Sequence, residues 1–117
     1  MNDTKKYDSV LVITEDNSLR KGIALSFFPY FSSVSAPSSY TKAAILISEK
    51  KYDCVVLDFA MCCKNDLELY KQIITSGISD NVFVLAFSLS EKNQEIIEQN
   101  NIKNIVNSID EVIQNFK

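Results

Sequence analysis

Short apolar runs alternate with helical patterns along the chain. Val10-Leu11-Val12-Ile13 is rich in β-branched residues and ends in Thr14-Glu15-Asp16. Leu19, Ile23 and Phe27 then recur at helical spacing, with Asn17 or Ser18 able to cap that helix and Pro29 able to stop it. A weaker strand is expected over residues 33–36. Ser38 or Ser39 opens a second helix carrying Tyr40, Ala43, Ala44 and Ile47. Cys54-Val55-Val56-Leu57-Asp58 lacks alternation, which predicts a strand buried on both faces. Asn65 with Glu68 reads as a cap for a helix carrying Leu67, Tyr70 and Ile74, which Gly77 ends. Residues 82–87 read as a second central strand, 91–99 as a helix with Ile96 and Ile97, and 102–106 as a last, weaker strand. Ser108 with Glu111 forms a capping box ahead of the stripe Ile109, Val112, Ile113 and Phe116.

Five strand–helix units in succession predict an α/β fold: a doubly wound, five-stranded parallel sheet with helices on both faces. Residues 1–8 are polar and read as a flexible N-terminal tail, leaving 9–117 as one domain. Such a sheet carries its site beyond the carboxyl ends of the strands, where the strand order reverses. Those ends hold Thr14-Glu15-Asp16, Asp58, Ala86-Phe87-Ser88 and Asn107-Ser108.

Composition narrows the chemistry. With 46% apolar and 23% charged residues, the 117-residue chain is of globular type and large enough for one core. It has no His, which excludes Ser/His and Cys/His catalytic pairs and His-ligated metals. Two Gly residues are too few for a phosphate-cradling glycine loop. A net charge of −3 argues against direct nucleic-acid binding. No apolar run reaches the length of a membrane span and no signal peptide opens the chain, so a cytoplasmic location is expected. Cys62 and Cys63 are adjacent; they bridge only through a strained ring and lack metal-knuckle spacing, so they read as loop residues, and Cys54 reads as core.

Asp58 is the most informative polar residue. It closes the most hydrophobic strand, where a carboxylate is costly unless paired or used. If the first and third strands are neighbours, Glu15, Asp16 and Asp58 meet in one cleft, and a small set of oxygen ligands suits Mg²⁺. The ordinary reading of Asp16 is a helix cap.

Two segments resemble the receiver domain of two-component response regulators. Residues 10–20 match its hydrophobic first strand, acidic turn and Leu-Arg helix start. Tyr52-Asp53-Cys54-Val55-Val56-Leu57-Asp58-Phe59-Ala60-Met61 is similar to its phosphoacceptor strand, and Asn65-Asp66-Leu67-Glu68-Leu69 to its Asp-Gly-Leu-Glu-Leu helix start. The resemblance implies a flavodoxin-like sheet of order 2-1-3-4-5. It implies that Asp58 accepts a phosphoryl group from a sensor histidine kinase or phosphotransfer protein. It also implies weakly bound Mg²⁺ held by Glu15, Asp16, Asp58 and the backbone carbonyl of Ala60. A homodimer through the fourth helix, fifth strand and fifth helix is a further implied partner. No membrane partner is expected.

The chain departs from that pattern at several positions. The first acid of the acidic pair aligns with Thr14, and Cys62-Cys63 stands where the family has Pro-Gly. The switch Ser/Thr falls on Ala86 and the phosphate-contacting Lys on Asn107, neither of which supplies the expected group. Phe87 follows, with a ring large enough to cover the phosphoryl pocket. The expectation is a degenerate receiver in phosphorelay signalling that accepts phosphate on Asp58. The alternative is a pseudo-receiver, an interaction module that works without phosphate. An enzyme is not expected: Ala60 breaks the Asp-x-Asp pattern of an aspartyl hydrolase.

Overall fold

A computed structural model describes residues 7–63, 67–87 and 89–115. Five parallel strands form one sheet of order β2-β1-β3-β4-β5. They are β1 (Tyr7–Ile13), β2 (Phe31–Ser35), β3 (Cys54–Asp58), β4 (Val82–Leu85) and β5 (Ile105–Val106). The helices are α1 (Asn17–Phe27), α2 (Tyr40–Glu49), α3 (Phe59–Cys62), α4 (Glu68–Ser76), α5 (Glu91–Gln99) and α6 (Ile109–Gln114). The doubly wound flavodoxin-like fold is the expected one.

Two apolar clusters lie on opposite sides of the sheet. Alternate residues of β1 and β3 feed each: Leu11, Ile13, Val55 and Leu57 face α2 and α4, while Val10, Val12, Cys54 and Val56 face α1 and α6. Burial on both faces explains why these strands read as unbroken apolar runs. On the second side Phe27 packs edge-on against Phe31, with ring centroids 5.5 Å apart.

The boundaries differ from the sequence reading in physically explicable ways. β1 begins at Tyr7, inside the expected tail of residues 1–8; the Asp53 carboxylate accepts from the Asp8 and Ser9 backbone N–H groups and extends the pairing. Asp16, not Asn17 or Ser18, caps α1, accepting from Leu19 N at 2.9 Å. Ser39 caps α2 as expected, and Gly77 ends α4 with φ +63°, a left-handed conformation that glycine adopts at little cost. The single turn α3 was not foreseen. The last strand shrinks from residues 102–106 to two, because Asn104 turns left-handed at φ +57° and Ile102 N bonds back to Ile97 O. Asn65, Asp66, Ser88 and Phe116 lie outside the described residues. Among the described residues no helix is long and apolar enough to cross a membrane.

Candidate functional site

β1 and β3 are neighbours, with Ile13 opposite Leu57, so the turns that follow both strands meet at the carboxyl end of the sheet. This is where the strand order reverses. Asp58 is the last residue of β3, half-buried, and its neighbour on the other side is Leu85.

The partner of Asp58 is Thr14. The Thr14 Oγ1 hydroxyl donates to Asp58 Oδ2 at 2.8 Å and accepts from the Asp16 backbone N–H at 3.2 Å. Thr14 is the buried polar residue of the described chain, 1% exposed. Its hydroxyl thus ties the end of β3 to the start of α1. Thr14 aligns where the family has an acid, and the alignment alone does not predict this hydrogen bond. A threonine aligned in an acidic turn, directly after a strand expected to neighbour that of Asp58, was the available signal.

The three acids expected to share a cation are used differently. Glu15 and Asp16 are both exposed, and the Asp16 carboxylate is engaged as the α1 cap. Ala60 lies within the helical turn α3. Among the described residues no three acidic or cysteine side chains gather to hold a metal ion. Where the family has a carboxylate, Thr14 offers a neutral hydroxyl that is already hydrogen-bonded to Asp58. The residues present therefore do not fit a receiver-type Mg²⁺ centre of Glu15, Asp16, Asp58 and the Ala60 carbonyl.

The switch positions lie beyond β4 and β5. Ala86 is buried, with its N–H on Val106 O at 2.8 Å, and presents only a methyl group. Phe87 is 60% exposed. It lines, with Ala86, Asn107 and Glu111, a shallow hollow of about 280 Å³ whose walls do not include Asp58. The ring stands open to solvent. The Asn107 backbone N–H donates to Glu111 Oε2 at 3.3 Å, and Ser108 Oγ accepts from Glu111 N at 3.3 Å. Where the family places a lysine, this chain places the uncharged Asn107, whose backbone N–H is held by the Glu111 carboxylate.

The cysteines are structural. Cys54, Cys62 and Cys63 are free thiols. Burial pushes the Cys62 thiol up to about 12, with neighbouring Cys63 adding to the shift, and burial also raises Cys54 and Cys63. Only the thiolate is nucleophilic. Iodoacetamide at mildly alkaline pH is expected to modify half-exposed Cys63 first and slowly, and Cys62 and Cys54 only after denaturation. Peptide mass mapping over time checks this; early labelling of Cys62 would contradict it.

No family model matches the sequence, and no curated protein is significantly similar to it. Among solved structures, the receiver domain of the Francisella response regulator 1452 is similar, with a TM-score of 0.72 and 23% sequence identity over 92% of each chain. The protein thus has the receiver-domain fold of response regulators over nearly its whole length.

Proposed function

We propose that this chain is a receiver-type domain of two-component signalling that acts through protein contacts independent of phosphorylation. The observation that carries this reading is the 2.8 Å hydrogen bond from Thr14 to Asp58. It occupies one carboxylate oxygen with a neutral donor at the position where the family gathers acids around a cation. Phosphoryl transfer to a carboxylate needs positive charge to offset that building on the phosphoryl oxygens. Thr14, Ala86 and Asn107 supply none. The domain carries out no reaction of its own on this reading. Its setting is the cytoplasm, and its partners are a sensor kinase, a phosphotransfer protein or a downstream protein. A second copy could pair through the face of α5, β5 and α6, where Lys92, Glu95, Asp110 and Glu111 are all exposed.

One observation favours a second reading, acceptance of phosphate by Asp58. Its carboxylate sits half-buried at the carboxyl end of a central strand. An Asp58 oxygen would attack phosphorus while the donor's bond to phosphorus breaks. Incubation with acetyl phosphate and Mg²⁺, followed by intact-mass measurement, separates the two. An unchanged mass is expected. A phosphoryl adduct that disappears in Asp58→Asn would overturn the first reading and establish the second.

A further inference from the structure

Helix α5 is the loosely seated element of this fold. None of its residues is buried, whereas α1, α2, α4 and α6 each bury at least two. Ile96 and Ile97 are its apolar residues, and both stay half-exposed. A helix normally gains its stability in a protein from an apolar face pressed into the core. Here that face is only partly covered.

Along α4 lie three hollows of about 240, 260 and 310 Å³: the first reaches Ile96 of α5, and the other two open onto the segment that follows α5. The first and second share Leu67, Lys71 and Asn100, and the second and third share Tyr70, Ile74 and Asn101. They form one groove running along α4 for roughly 10 Å, two helical turns. Ile74, an apolar residue of its wall, is 52% exposed. Exposed apolar surface confined to a groove and rimmed by polar groups is characteristic of an interaction site.

The charges on the rim choose the occupant. Lys71 and Lys103 line the groove, and neither has an ion pair among the described residues, in a chain whose net charge is −3. One acid, Asp80, lies at the far end beside Lys103. The Asn104 side chain is held by Val82 O and that of Asn100 by Ile96 O, so these amides are fixed walls.

We propose that this groove docks an acidic, amphipathic segment of a partner protein. Its aliphatic or aromatic residues enter the hollows beside Leu67, Ile74 and Ile96, and its carboxylates meet Lys71 and Lys103. Binding completes the burial that α5 lacks. The groove does not involve Asp58, so the proposal goes beyond the phosphate-independent reading and does not depend on it.

The probe is a pool of peptides of about ten residues in which Asp and Glu alternate with randomised Leu, Ile, Phe and Tyr. A second pool carries Lys in place of the acids. Selection on the intact chain is expected to enrich members of the acidic pool alone. In ¹⁵N NMR spectra these should shift amides of α4 and α5, and Lys71→Glu with Lys103→Glu should weaken them at least about tenfold. The far-ultraviolet circular dichroism of that double variant shows whether it remains folded; a charge reversal at Lys71 alone is the second variant. Equal enrichment from both pools, indifference to the charge reversals, or shifts confined to the Phe87 and Asn107 hollow would overturn the proposal.

Discussion

Thr14→Asp is expected to give the cleft a divalent-cation site in place of its hydrogen bond. The substitution removes the donor that occupies Asp58 Oδ2 at 2.8 Å. It places a second carboxylate just beyond the neighbouring strand β1, where the hydrogen bond holds Thr14 against Asp58. Two carboxylates in contact repel, and a cation relieves that repulsion. The new site is open and shares few protein ligands, so its dissociation constant is expected at about a millimolar, in the weak range for hard cations. Paramagnetic broadening by Mn²⁺ reads it directly. Saturable broadening around residue 58 should appear in the variant, be absent in the native chain, and vanish when Asp58→Asn is added. Equal saturation of the native chain would show that the Thr14 hydroxyl does not exclude the ion.

Phe27→Ala should cost about 3–5 kcal/mol, the usual price for deleting a fully buried ring. Phe27 is 0% exposed at the end of α1 and meets Phe31, the first residue of β2, at an interplanar angle of 85°. Its loss removes both the ring's own burial and the brace between the helix and an edge strand. Domains of this size are stable by about 5–15 kcal/mol, so the variant should melt far below the native chain or fail to fold. Leu25→Ala on the same helix provides the contrast: Leu25 is 70% exposed, and its removal should change stability by about 0.5 kcal/mol or less. Thermal denaturation followed by circular dichroism checks both. A Phe27→Ala melt close to that of Leu25→Ala would contradict the assigned core.

The sheet was legible because its evidence is local. Each central strand is a short β-branched run, and each run must be buried on both faces, which leaves a parallel sheet covered by helices. Gly77, Ser39 and Ser108 announced helix ends through side-chain chemistry within a few residues. Asp58 was legible for the same reason, as a carboxylate closing an apolar run. What escaped is tertiary. The Thr14–Asp58 bond spans 44 positions, and no local pattern encodes it. Asp16 is used as the exposed cap of α1, a role its position just before a helix already allowed. The last strand was overextended because residues 102–106 contain Ile102, Ile105 and Val106. Ile102 is buried, but by a loop that leaves the helix and not by a strand.

The short β5 limits how these molecules can associate. Growth of a sheet from chain to chain requires a competent edge at both ends, since each added copy must accept one neighbour and offer itself to the next. Here one end is β2, five residues long. The other is β5, two residues, entered through a left-handed Asn104 and followed at once by the Ser108 cap of α6. A strand of two residues offers too few free backbone groups to template another. Sheet growth from copy to copy therefore stops at the β5 end.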